Sequence, residues 1–251
     1  ANYGIEHWFT MAEFKASDDV YGELKMLGQQ YRHYMKLHIM SLHELTHLLD
    51  YTMPGIKGML ASWNEGNRKD KLSDFVEHFW HYDNITCLSE TEFIEQYTIW
   101  AKEKKYHQSQ DKAAAIYALA REGIPTLSSE TPSVKMLVTE AVRVLKEVDA
   151  TLSIILSRMQ ELAKSLPEYS VVRGMGGVGE VLAPKLIAEI GDVRRFHSGK
   201  ALIAYAGIDT PPYESGQFVG SNRKITKRGS AALRKVGYET MRCIKTHPRP
   251  D

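Results

Sequence analysis

The stretch TPSVKMLVTEAVRVLKEVDATLSIILSRMQELAKSLP, residues 131–167, decides the fold. In it Val134, Val138, Ala141, Leu145, Val148, Leu152, Ile155, Met159, Leu162 and Leu166 follow one another at spacings that alternate between four and three. A helix turns once in about 3.6 residues, so this row predicts a single long helix with one apolar seam, of the kind found in coiled coils. Thr131 supplies an N-cap, Pro132 suits the first helical position, and Pro167 ends the run. At about 1.5 Å per residue the expected rod is roughly 50 Å long. A seam that is apolar on one side needs cover, from a second copy of the chain or from another helix of the same chain.

Upstream the pattern is also helical. Ser17 followed by Asp18-Asp19 reads as an N-cap with acids in the first turn. From it a second long helix is expected, with Leu24, Leu27, Tyr31, Tyr34, Leu45 and Leu48 on one stripe, ending before Pro54-Gly55. Residues 63–71 read as a polar loop. Residues 72–121 read as short helices: Leu72, Phe75, Val76 and Phe79 share a face, Ser89-Glu90-Thr91-Glu92 is a capping box, and Ser109 caps an Ala-rich helix that Gly123-Ile124-Pro125 stops. No segment before residue 170 alternates as a strand. The expected divisions are a stem helix at 1–58, an inserted helical subdomain at 59–130, the coiled-coil helix at 131–167 and a separate domain at 168–251.

Composition narrows the function classes. Of 251 residues, 43% are hydrophobic and 25% charged, ordinary values for a globular chain. No apolar run approaches the roughly 20 residues of a membrane span. The first residues, Ala1 to Glu6, lack the basic start and apolar core of a signal peptide. Cys87 and Cys243 are far apart and outside any CxxC, which points to a reducing compartment without disulfides. The net charge of +1 hides an asymmetry: residues 168–251 carry 14 basic against 8 acidic residues, and residues 1–167 carry 18 against 23. Between Phe218 and Arg249 there are nine basic residues and one acid, Glu239. A polyanion partner at the C-terminal end is expected from this balance; a solvated helix face is the plainer account.

Three constellations carry candidate chemistry. His43-Glu44-Leu45-Thr46-His47 is an HExxH pentad, in which two histidines one turn apart ligate zinc and the glutamate is the base. A third ligand is needed, and Glu65 stands in a polar loop with no helix pattern to aim it. A zinc peptidase is the alternative this motif keeps open; a polar helix face explains the same residues, and no metal ligand is assigned. The second constellation, Arg173 to Gly179 followed by Leu182 to Gly191, reads as a helix, a glycine hairpin and a second helix. Gly176, Gly177 and Gly179 would let backbone amides approach a phosphate, with Lys185 beside them. A plain turn between packed helices reads equally well. The third is Pro211-Pro212-Tyr213-Glu214-Ser215-Gly216, followed by Arg223, Lys224, Lys227 and Arg228. A serine that attacks a phosphodiester needs cations nearby to stabilise the charge of the transition state. A serine before a glycine in a loop is also an ordinary turn.

The run from Gly174 to Arg242 resembles the C-terminal transposase domain of the DEDD-type, bridge-RNA-guided insertion-sequence transposases. The matching pieces are Gly176-Gly177-Val178-Gly179, Ile187 to Asp192, Arg195-Phe196, Leu202 to Ile208, Tyr213-Glu214-Ser215-Gly216, Lys227-Arg228-Gly229 and Leu233-Arg234. The resemblance implies a DNA recombinase, with Ser215 as the nucleophile that becomes linked to DNA. It implies phosphate contacts from Arg223, Lys224, Lys227, Arg228 and Arg234. It also implies a guide RNA, and magnesium held by four acids of an N-terminal RuvC-like domain. Those acids are expected before Ala1, so the chain reads as a fragment whose autonomous catalysis is in doubt; a non-catalytic nucleic-acid-binding remnant is the other reading.

The expected architecture is mainly α: a long helical hairpin with a coiled-coil stem and an inserted helical subdomain, then a compact DNA-binding domain containing a helix-hairpin-helix. Expected partners are DNA, guide RNA and further copies of the chain through the coiled coil, in a bacterial-type cytoplasm at the nucleoid, with no membrane.

Overall fold

The structure, a computed structural model, describes residues 19–60, 70–210, 214–215, 218–219 and 224–246. In chain order its elements are α1 (Asp19–Thr52), α2 (Ile56–Leu60), α3 (Lys71–Phe79), α4 (Asp83–Thr86), α5 (Glu90–Glu103), α6 (Gln110–Glu122), α7 (Pro132–Lys164), α8 (Glu168–Gly174), α9 (Leu182–Ile190), a short 3₁₀ turn (Val193–Arg195), α10 (Gly199–Ala206), β1 (Glu214–Ser215), β2 (Phe218–Val219) and α11 (Ala231–Thr246). The fold is mainly α, with one pair of very short strands among the described residues. Among these residues no helix is long and apolar enough to cross a membrane.

Two compact units are present. One is Tyr31–Leu156; the other joins the described residues up to Gln30 with those from Ser157 onward. Both long helices contribute to both units.

In the Tyr31–Leu156 unit, the seam predicted on α7 is buried within the chain itself. Val134, Val138, Leu145 and Leu152 are buried there, and Ala141, Val148 and Ile155 are half-buried. Val142, Asp149 and Leu156 are buried as well, so the covered stripe is wider than a two-per-heptad seam and belongs to a packed core. One cluster joins Leu45, Leu49 and Met53 of α1, Phe75, Val76 and Phe79 of α3, Phe93, Tyr97 and Trp100 of α5, and Val138, Val142 and Leu145 of α7. His38 of α1 meets Asp149 of α7 at 2.7 Å, both mostly buried. Sequence numbers rise along α1 as they fall along α7 through these contacts, so the two run antiparallel here.

Local rules explain the helix ends. Ser89 accepts from the Glu92 amide while Glu92 accepts from the Ser89 amide, the reciprocal capping box read from sequence. Ser109 caps α6 and Asp70 caps α3. Lys71 at the start of α3 donates to the Tyr97 hydroxyl at 2.8 Å and lies 5.2, 5.9 and 5.5 Å from the Tyr97, Trp100 and Tyr106 ring centres. Burial lowers the Lys71 ammonium below its ordinary pKa.

In the other unit, Leu24 of α1 is buried, as are Met159, Leu162 and Ala163 of α7. Arg158 meets Glu23 at 2.9 Å. The Tyr21 hydroxyl donates to the two Glu168 carboxylate oxygens at 2.9 and 3.0 Å, and burial together with that carboxylate raises its pKa to about 12. Helix α9 is the centre of this unit: Leu182, Ala183, Leu186, Ile187 and Ala188 are buried, and it packs on α8 and α11.

Candidate nucleic-acid interface

Two loops carry most of the predicted site residues; Lys185 lies on α9 and Arg234 on α11. The first, Met175 to Val181, joins the packed helices α8 and α9. Val178 is buried and anchors it, its amide bonds the Met175 carbonyl, and the Arg173 guanidinium donates to the Val178 carbonyl. The glycines divide by role. Gly177 has φ +74°, and a Cβ there would lie 2.5 Å from the Cys243 carbonyl oxygen of α11, so it is a packing glycine. Gly179 is exposed, and none of the described residues lies within 4 Å of where its Cβ would stand. Among the described residues the amides of Gly179, Glu180 and Val181 meet no backbone carbonyl. Gly176 and Lys185 are half-buried.

The second loop leaves α10 and returns to α11. Gly207 closes α10 in the left-handed conformation, φ +66°. The returning chain is tied to that end. The Thr226 amide bonds the Asp209 carbonyl at 3.0 Å, and the Thr226 hydroxyl bonds the Asp209 carboxylate at 2.6 Å. The Lys227 amide bonds the Gly207 carbonyl at 2.9 Å and the Ser230 amide the Tyr205 carbonyl at 2.7 Å. These bonds form a neck at the base of the loop between α10 and α11. Within it Ser215 lies on β1, its backbone paired with Phe218 of the antiparallel β2, as Glu214 is with Val219.

The neck carries charge. Lys224, Lys227 and Arg228 are exposed on the returning strand, with Lys227 at φ +56°. Arg223, Tyr213, Gly216 and the prolines at 211 and 212 lie outside the described residues. Arg234 is differently engaged: its guanidinium donates to the Ala206 carbonyl at 2.8 Å and the Gly229 carbonyl at 3.3 Å, so it clamps the neck to α11. Arg195 lies 4.6 and 4.5 Å from the Phe196 and Tyr205 ring centres and donates to the Ile190 carbonyl at 3.0 Å. Sequence reading missed the Asp209–Thr226 tie and the clamp, because partners so far apart in sequence leave no local spacing signal.

The remaining motif lies on α1. His43, Glu44 and His47 are exposed, and the His47 ring nitrogen shares a 3.2 Å hydrogen bond with the Tyr51 hydroxyl. Glu65 lies outside the described residues. Among the described residues no group of three or more His, Cys, Asp or Glu converges to hold a metal ion. The magnesium implied by the resemblance therefore finds no ligand set in them.

Comparison with known proteins bears on the same region. The chain is 23% identical over 157 residues to the "Insertion element IS116 uncharacterized 44.8 kDa protein" of Streptomyces clavuligerus, an alignment covering 62% of this chain. It spans 39% of the length of that relative. No solved structure matches. Residues 169–250, which contain both loops, match the family described as Transposase IS116/IS110/IS902. The C-terminal third of this chain is thus similar to the transposase domain of the IS116/IS110/IS902 family of insertion sequences.

Proposed function

We propose that this chain takes part in DNA strand exchange of an insertion sequence, with its C-terminal domain on nucleic acid and Ser215 as the nucleophile. The observation that carries the reading is the family match over residues 169–250, which spans the neck holding Ser215 and the exposed Lys224, Lys227 and Arg228.

A serine hydroxyl is a weak nucleophile at neutral pH. In the proposed step its oxygen forms a bond to a DNA phosphorus and loses its proton. One bond from that phosphorus to a deoxyribose oxygen breaks, and the departing oxygen takes up a proton. The number of phosphoester bonds is unchanged, so the reverse attack by another strand end restores DNA without an external energy source. Lys224, Lys227 and Arg228 would stabilise the extra negative charge on the phosphoryl oxygens. The Met175 to Val181 loop would act as a helix-hairpin-helix, with the free amides after Val178 on a second phosphate and Gly179 leaving room for it. Guide RNA and further copies of the chain are partners in the same proposal.

The test supplies the chain with the RuvC-like domain, magnesium and guide RNA that the resemblance implies, then runs labelled DNA on a denaturing gel. A protein–DNA adduct mapping to Ser215, absent in Ser215→Ala while DNA binding persists, is expected. An adduct that survives Ser215→Ala, or maps to Ser221 or Ser230, contradicts the assignment. Binding with no adduct in the unmodified protein would favour a non-catalytic binding module.

A further inference from the structure

The two faces of α11 have opposite characters. Leu233, Val236 and Thr240 are buried on one side, where the helix packs on α9. Each residue turns a helix by about 100°, so the opposite side collects Lys235, Tyr238, Arg242 and Lys245, at spacings of three, four and three. All four are exposed. Tyr238 is 58% exposed, with Met241 beside it at 53%. The one acid of α11, Glu239, reaches Lys235 only at 4.0 Å. The face is therefore a bare aromatic ring set between cations one helical turn away on either side. Among the described residues that ring enters no ring contact or side-chain hydrogen bond.

That chemistry fits an unpaired nucleotide strand. Phosphates of such a strand pair with Lys and Arg, while its bases offer flat faces that stack on exposed aromatic rings. In a duplex the bases are already stacked on each other, so a duplex would use the cations and leave the ring idle. An acidic peptide would do the same. Position selects the source of the strand. Tyr238 lies eight positions past Ser230, about 12 Å along the helix from the end of the neck. An unpaired strand covers that distance in a few nucleotides. On the strand-exchange reading, a DNA strand opened at the neck would lie within reach of this face. We infer that the Lys235–Tyr238–Arg242–Lys245 face of α11 holds an unpaired DNA strand beside the strand-exchange loop, with phosphates on the three cations and one base stacked on Tyr238. The assignment rests on the strand-exchange reading for its choice of DNA.

The experiment is fluorescence anisotropy of the full chain with labelled oligo(dT), oligo(rU), a DNA duplex and anionic vesicles. Tyr238→Ala should weaken oligo(dT) binding about tenfold, the loss of one stacked base, and leave duplex binding unchanged. Tyr238→Phe keeps the ring and should bind oligo(dT) like the unmodified chain. Lys235→Ala, Arg242→Ala and Lys245→Ala together should weaken both DNA forms and flatten their salt dependence. Unchanged oligo(dT) affinity in Tyr238→Ala overturns the inference, as does an equal loss on duplex. A ring-dependent preference for oligo(rU) over oligo(dT), or ring-dependent capture of vesicles without oligo(dT) binding, overturns it too. Failure of the underlying reading shows elsewhere: it is duplex binding that survives intact when Lys224, Lys227 and Arg228 are all changed to Ala.

Discussion

Gly207 and Gly229 cross backbone to backbone: a Cβ on Gly229 would lie 2.5 Å from the Gly207 nitrogen and 2.1 Å from the Tyr205 carbonyl oxygen. This crossing brings Lys227 and Arg228 beside the end of α10 and lets Arg234 reach both strands. Neither glycine has room for a side chain, and Gly207 also has φ +66°. Gly229→Ala should cost about 2 kcal/mol or more, read as a lowered midpoint for unfolding of the C-terminal domain in urea. A variant as stable as the parent would mean the neck is not closed as described.

The His38–Asp149 contact predicts strong coupling between α1 and α7. Removing either partner leaves the other in a mostly buried site, so His38→Ala and Asp149→Ala should each cost about 3 kcal/mol. Replacing both with leucine should recover most of that loss, since apolar pairs of similar volume often equal buried polar ones. A double-mutant cycle on thermal unfolding measures the coupling; additive single effects would show that the two side chains do not interact.

Acid should weaken the Tyr31–Leu156 unit through Asp74. Burial of that carboxyl opposes its ionisation, but Lys146 at 2.8 Å, the Tyr106 hydroxyl at 2.8 Å and Lys104 at 3.9 Å outweigh it and hold the group below its ordinary pKa. The unfolded chain takes up this proton more readily than the folded one. The stabilisation is therefore complete above the ordinary carboxylate range, about pH 4, and is lost as pH falls through the depressed folded value. Asp74→Asn should lower the melting temperature at neutral pH and make the decline below about pH 4 shallower. An unchanged acid limb would assign that decline to other carboxylates.

Gly237 offers the opposite test. It lies within α11, and none of the described residues stands within 4 Å of where its Cβ would be. Gly237→Ala should stabilise the C-terminal domain by about 0.5 to 1 kcal/mol, because alanine has less backbone freedom to lose. Destabilisation by thermal melting would place a neighbour against that side of the helix.

What could be read from sequence follows the range of the interactions. The alternation from Val134 to Leu166 gave α7 almost to its ends, because helix periodicity and capping are local. The Ser89 box and the Ser109 cap appear where their side chains stand in sequence. The N-cap read at Ser17 lies outside the described residues. The spacing leaves the cover for the seam open between a second copy and another helix, and its burial inside one chain comes from contacts such as His38 with Asp149 that no spacing encodes. The same holds at the site. The glycine loop and the basic run were legible as motifs. That Gly177 packs on Cys243 while Gly179 faces open space, and that Arg234 is a clamp, depend on α11 folding back over α9 and α10.

The measurement that tests the central claim most directly is DNA affinity of the full chain across a salt series, with and without the charges of the neck. Nucleic acid held by Lys224, Lys227 and Arg228 releases about one counterion per neutralised phosphate. Changing all three to Ala should weaken binding at low salt and reduce the slope of log affinity against log salt by about 2 to 3. An unchanged affinity and slope in that variant, or an unmodified chain whose binding ignores salt, would contradict the account.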